Sequence, residues 1–217
     1  MTLYEKYRPR AWEELVGQDK AVKQARRIIK RPGFDRGAFW IECAGEHNSG
    51  VGKSSLAILI AQQLADDFFI TSWNGAKLDK AAVHKIEQDG QFSTWGDKRF
   101  RVVIVDEAHA ISQGAVDVLL PFLEALPAHF VMIFTTTQAV DRDLFGDDSG
   151  PFSSRCFQIR LTNQGLTRPM AQRAKMIAEA EGLDGQPVEA YVKLIQVCKN
   201  NMRAALQRIE AGEMIQE

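Results

Sequence analysis

Cysteine is scarce in this chain. Cys43, Cys156 and Cys198 are three thiols, an odd number, far apart in 217 residues. They form neither a disulfide framework nor the paired spacing of a zinc site, so a reducing compartment fits. Long apolar runs are missing too. No stretch approaches the roughly 20 residues that span a bilayer, and the opening Met1-Thr2-Leu3-Tyr4-Glu5-Lys6 has no apolar signal core. These absences point to a cytoplasmic protein without membrane association. Excess charge is also lacking: 27 Lys+Arg against 28 Asp+Glu leave a formal net charge of −1. No overall basic balance advertises nucleic acid. The basic run of Lys23, Arg26, Arg27, Lys30 and Arg31 is better read as the solvated face of a helix. Trp12, Trp40, Trp73 and Trp95 are not spaced as a base-stacking array and belong to core or interface.

What is present is an ordinary globular composition, 45% hydrophobic and 25% charged. The length suits one medium domain plus a small appendage. Residues 3–18 read as an extended, proline-containing segment. Helical spacing is expected over 18–30, 54–64, 80–87 and 113–125, the last despite Pro121. Apolar runs at 39–44, 68–73, 101–105 and 130–135, and an alternating one at 156–161, read as strands. Strands alternating with helices give an α/β fold, a parallel sheet flanked by helices. After Leu161 only helical periods remain, over 166–181, 187–197 and 201–209, which predicts a three-helix appendage. The expected division is an α/β core over 1–161 and a helical domain over 162–217. Residues 139–150, rich in Asp and Gly, read as a long flexible loop.

Two motifs carry chemistry. Gly50-Val51-Gly52-Lys53-Ser54-Ser55 is the back half of a phosphate-binding loop. Its glycines let backbone N–H groups face phosphate oxygens, Lys53 supplies a point charge for the β/γ-phosphates, and the Ser54 hydroxyl can ligate Mg²⁺. About fifty residues on, Val102-Val103-Ile104-Val105 ends in Asp106-Glu107, a strand tipped by two carboxylates. That is where a nucleotide-bound Mg²⁺ and an attacking water need them. The loop departs from G-x-x-x-x-G-K-[ST] at its first position, which is His47, while Gly45 lies two residues too early. Because the Gly-Lys-Ser end touches the phosphates, ATP and Mg²⁺ binding is expected to survive.

With these motifs in place, the chain resembles an ATPase subunit of the sliding-clamp loaders in the AAA+ superfamily. This group includes the replication factor C small subunit, the bacterial gamma/tau subunit and the phage loader ATPase. The opening Glu5-Lys6-Tyr7-Arg8-Pro9-Arg10-Ala11-Trp12, then Leu15-Val16-Gly17-Gln18, is similar to the loader N-terminal signature. Residues 130–137 resemble the sensor-1 strand, Ser154-Arg155-Cys156 the arginine-finger motif, and Met202-Arg203-Ala204-Ala205-Leu206 the sensor-2 helix. The chain departs from the loaders in four places. His47 opens the loop. Leu119-Leu120-Pro121-Phe122 stands where a DNA-facing basic residue is common. The bacterial cysteine zinc module is missing, and the collar domain is absent. The missing module places the chain nearer the phage, archaeal or eukaryotic style, whereas the sensor-1 threonine is more bacterial.

The resemblance implies an AAA+ fold with a lid, and ATP hydrolysis at a subunit boundary. Asp106 and Ser54 would hold Mg²⁺, Glu107 would polarise the attacking water and Thr137 would orient that water or touch the γ-phosphate. Arg155 would reach the neighbouring subunit's nucleotide, and Arg203 the phosphates from the lid. Tyr7, Arg8 and Pro9 would line the adenine pocket, with Val16 among the nucleotide contacts. The implied partners are a sliding clamp, other loader subunits and primer–template DNA. A ring is expected only with partners or a collar. Blander readings stand beside these. Arg155 could pair with Asp147 or Asp148, Arg203 could be a solvated helix residue, and Thr137 a strand-end threonine. His109 reads as a packing or surface residue, since no second ligand lies at helical spacing. Two other functions remain open: a different AAA+ remodeller acting on branched DNA or protein, or a nucleotide-binding scaffold subunit.

Overall fold

The computed structural model describes residues 1–43, 49–137, 152 and 154–215. Gly45, His47, Asp147, Asp148 and the loop expected over 139–150 lie outside the described residues. Five parallel strands form one sheet in the order β2-β3-β4-β1-β5: β1 Gly37–Cys43, β2 Ile70–Asn74, β3 Arg101–Asp106, β4 Phe130–Thr135 and β5 Phe157–Leu161. The near-continuous apolar character of β1, β3 and β4 has a simple cause, since central parallel strands are covered on both faces. Along β1, Phe39, Ile41 and Cys43 enter one core while Ala38 and Trp40 enter the other.

The helices α2 Asp19–Ile29 and α3 Lys53–Leu64 contribute to the first core through Val22, Ala25, Leu56 and Ile60. The helices α4 Lys80–Gly90 and α5 Gln113–Glu124 cover the opposite face through Val83, Ile86, Val116 and Leu119. Pro121 sits inside α5 near its end, and the helix closes normally, with the Ala125 N–H donating to the Pro121 carbonyl at 3.2 Å. The remaining helices, α6 Thr167–Glu181, α7 Val188–Val197 and α8 Met202–Glu210, share the first core through Met170, Ile177, Leu194 and Leu206.

The N-terminal segment differs from the expected extended chain. It begins with a short helix, α1 Leu3–Lys6, and has a single 3₁₀ turn at Trp12–Glu14. Local chemistry explains the helix. The Thr2 and Glu5 side chains form a reciprocal capping box at its start. Pro9 then ends any helical continuation. The segment is also tied to α6, because Lys6 and the Tyr7 hydroxyl both donate to the Glu181 carboxylate. Those two donors hold Glu181 below the usual carboxylate range, and the carboxylate pushes the Tyr7 phenol up.

Candidate functional site

In an open α/β sheet, ligands gather beyond the carboxyl ends of the strands. Here β1, β3 and β4 end around one cleft. Past β1, the chain turns into α3 through Gly50 at φ 72° and Gly52 at φ 107°, both left-handed. Glycine enters that region without the Cβ clash that other residues suffer. Gly52 caps α3, so Lys53 is its first residue and the positive end of the helix dipole faces the cleft. Burial pushes the Lys53 ammonium below its ordinary value, since the residue is 7% exposed. Cys43, Glu107 and Asp106 oppose that shift, and Arg203 adds to it. A buried cation of this kind is poised for an anionic ligand.

A cavity of about 160 Å³ occupies the cleft. Tyr7, Arg8, Pro9 and Val16 reach it from the N-terminal segment, and Gly50, Val51, Gly52, Lys53, Ser54 and Ser55 from the loop and α3. Glu107 follows β3, Thr137 follows β4, and Arg203 comes from α8. Residues more than 190 positions apart in sequence thus share one wall. Asp106 lies just behind it. The Ser54 hydroxyl donates to Asp106 Oδ1 at 3.1 Å, and the Thr135 hydroxyl donates to the same oxygen at 2.6 Å. A hydroxyl beside a carboxylate suits a hard, oxygen-seeking cation such as Mg²⁺. Among the described residues, no group of three or more His, Cys, Asp or Glu could hold a metal alone. Ser54 and Asp106 therefore fit Mg²⁺ that arrives with phosphate and water ligands, as this ion commonly does.

Glu107 has φ 55° and ψ 49°, a left-handed geometry that costs a non-glycine residue roughly 1–2 kcal/mol. The Thr137 hydroxyl donates to Glu107 Oε2 at 3.1 Å. Thr137 is therefore more than a strand-end residue. Arg203 is exposed at the cavity rim, its guanidinium 5.3 Å from the centre of the Tyr4 ring. Arg155 is not in the cleft. It stands just before β5 and is paired through Nε (2.8 Å) and a second nitrogen with Glu124, at the end of α5.

Some cleft residues carry no motif. From α6, Met170, Arg173 and Ile177 line the cavity, with the Arg173 guanidinium 3.7 Å from Glu14. Their spacing along one helix face was the only available signal. Thr135 and Thr136, which precede Thr137, also turn toward the acidic pair and its neighbour His109. No helix among the described residues is long and apolar enough to cross a membrane.

The chain is similar to several known proteins. The DNA polymerase III gamma subunit of Buchnera aphidicola is 29% identical over 157 residues, 62% of this chain and 42% of the relative. The replication factor C small subunit of Archaeoglobus fulgidus is 26% identical over 222 residues, covering 98% of this chain and 64% of the relative. The chain therefore spans less than two thirds of the length of these curated relatives. Among solved structures, RuvB from Thermotoga maritima, a Holliday junction branch migration motor, superposes with a TM-score of 0.68 over 94% of this chain and 64% of that one, at 17% identity. That likeness speaks for the fold and no further. The family model of the DNA polymerase III delta subunit matches residues 38–164. Since that match takes in more than half of the residues, from β1 through β5, the chain belongs to the DNA polymerase III delta-subunit family of AAA+ clamp-loader proteins.

Proposed function

We propose that the chain is an ATPase subunit of a DNA polymerase sliding-clamp loader. In this reading it couples ATP binding and hydrolysis to clamp opening and to loading on primer–template DNA. The observation that carries the reading is one cavity that collects Lys53, Ser54, Glu107, Thr137 and Arg203 from four separate segments. The names of the relatives, a gamma subunit and a replication factor C small subunit, agree with it. Residues 1–161 act as the nucleotide-binding core and 162–217 as a lid.

In detail, the Lys53 ammonium binds the β/γ-phosphates, and the helix N-terminus behind it adds backbone donors. Ser54 and Asp106 hold Mg²⁺, which when bound neutralises charge on the phosphates. Glu107 takes the proton of the attacking water, the general-base role for which its geometry at the cleft suits it. Tyr7, Arg8, Pro9 and Val16 enclose the adenine end. Arg203 reads nucleotide state from α8, so that the lid shifts with the ligand. Arg155 serves the nucleotide of the adjacent subunit, where a guanidinium supplied in trans stabilises the transferring phosphoryl group. Other loader subunits, a sliding clamp and primer–template DNA are the partners.

Titration calorimetry with Mg·ATP tests the site. Lys53→Ala should abolish binding, whereas Glu107→Gln should bind like the wild type and fail to turn over. Equal ATP affinity in the wild type and Lys53→Ala would place the nucleotide elsewhere.

A further inference from the structure

We infer that His109 is a positioning residue for Glu107, standing beside the same carboxylate oxygen that Thr137 contacts. The inference rests on the reading of Glu107 as the group that activates water. Three consecutive residues, Thr135, Thr136 and Thr137, place three hydroxyls along the acidic turn. The first meets Asp106 Oδ1 at 2.6 Å, the second His109 Nδ1 at 3.2 Å, and the third Glu107 Oε2 at 3.1 Å. The His109 Nδ1 atom is also 3.4 Å from Glu107 Oε2. The imidazole thus stands between a hydroxyl and a carboxylate, with one nitrogen edge toward both.

The two sides of this arrangement differ in rigidity. Thr136 is 1% exposed, and its N–H donates to the Ile41 carbonyl of β1 at 3.1 Å. It is a fixed post at the end of the sheet. The Glu107 side chain is 44% exposed and, left to itself, would sample several rotamers. The His109 side chain is 20% exposed and is carried on the 3₁₀ turn Ala108–Ala110 that directly follows Glu107. A hydrogen on Nδ1, bonded to Thr136 Oγ1, would hold the ring at the fixed post, with its edge 3.4 Å from the mobile carboxylate.

The chemical consequence concerns the two carboxylate oxygens. Oε2 accepts from the Thr137 hydroxyl and has the His109 ring beside it at 3.4 Å. Among the described residues, Oε1 accepts no hydrogen bond, so it is the oxygen left to take a proton from water. No proton passes through His109 in this scheme. Its contribution is orientation, and reacting groups misplaced by about 1 Å lose on the order of 100-fold in rate. The arrangement also requires hydrogen on Nδ1 of the ring.

The test uses the chain in an assembly where Arg155 of a neighbouring subunit reaches the site, with Mg·ATP and with Glu107→Gln supplying the background rate. His109→Leu should lower kcat by about 10–100-fold, up to the loss expected when a reacting group is misplaced by about 1 Å, with KM for ATP within about twofold. His109→Asn keeps a donor near the Nδ1 position and should recover to within about threefold of the wild type. A purely packing role would give the opposite order, since leucine fills the space better than asparagine. Turnover by His109→Leu within twofold of the wild type, with Glu107→Gln at background, would overturn the inference and leave the reading of Glu107 intact. Wild-type turnover no faster than Glu107→Gln would remove that reading and the inference together. Independently of folding in the variants, long-range ¹H–¹⁵N correlation of the wild-type imidazole should show hydrogen on Nδ1. A ring protonated at Nε2 alone would overturn the inference.

Discussion

Replacing Gly50 by alanine tests how tightly helix α8 is seated on the loop at Gly50–Gly52. Gly50 has φ 72°, where alanine pays roughly 1–2 kcal/mol. The new methyl carbon would also lie 2.0 Å from Asn201 Oδ1 and 2.6 Å from its Cγ, far inside contact distance. Asn201 cannot simply swing away. Its side chain caps α8 by accepting from the Ala204 N–H at 3.1 Å, and losing such a cap costs about 1 kcal/mol. Together these give a destabilisation of about 2–3 kcal/mol, or a fall in Tm of ~4–12 °C for a chain of this size. Asn201→Gly should cost only a few tenths of a kcal/mol, because glycine is an acceptable cap residue. In the double variant the side-chain clash is gone while the backbone strain remains. About 1 kcal/mol should therefore return as a coupling term in a double-mutant cycle read by urea unfolding. Additivity within ~0.3 kcal/mol would refute the contact, and with it the idea that α8 rests on the loop. Arg203 lies two residues beyond Asn201, so Gly50→Ala should also weaken ATP binding.

The trans role of Arg155 predicts complementation. In a verified mixed assembly, Arg155→Ala and Lys53→Ala chains should recover ATPase activity that neither shows alone, and no recovery would count against that role. The thiols should differ in the native state. Burial pushes Cys156 up to about 12, against a smaller pull from Arg155, and burial raises Cys43 as well. At pH 8 a disulfide reagent should modify Cys198 first. Cys156 reactivity should climb about tenfold per pH unit with no plateau below about 12, because the thiolate is the reacting form. Since the raised pKa favours the protonated folded state, Cys156 should contribute stability below about pH 9 that is lost as pH rises toward 12, a slope that Cys156→Ser should flatten. Modification of native Cys156 as fast as Cys198 would refute its raised value.

The sheet was legible in the sequence because its central strands are covered on both faces and so read as unbroken apolar runs. Arg101–Asp106 and Phe130–Thr135 match the expected positions within a residue. The three helices after Leu161 were equally legible from helical period and from glycine at the stop after α6, where Gly182 takes φ 69°. The N-terminal helix was not, because four residues are too few for a period to register and its cause is a side-chain cap. Around the cavity, the residues carried by a motif were legible, since glycine, lysine and paired carboxylates have few other uses at that spacing. Met170, Arg173 and Ile177 were not, because an apolar or basic residue on a helix looks the same whether it faces a core or a cavity. His109 was read as packing for a similar reason. Its meaning depends on Thr136, 27 residues away, which is brought near only when β4 pairs with β1 and β3.

The pairing of Arg155 with Glu124 bears on the trans reading, since an arginine engaged within its own subunit could be thought unavailable to a neighbour. Magnitudes decide the question. The Glu124 side chain is 58% exposed and that of Arg155 is 29% exposed, so water screens their attraction. Pairs of this kind contribute about 0–1 kcal/mol. A guanidinium facing the charge that develops on a transferring phosphoryl group is worth about 10³–10⁵ in rate in other systems, equivalent to ~4–7 kcal/mol. The weaker contact yields to the stronger one wherever a neighbouring nucleotide comes within reach. Until then, the pair keeps a long side chain ordered at the end of α5 rather than sampling solvent. On these magnitudes Glu124→Ala should leave the basal rate of the chain unchanged and alter turnover in an assembly by no more than about fivefold, since the ion pair it removes is worth so little. A loss comparable to that of Arg155→Ala would show that Glu124 belongs to the boundary chemistry itself.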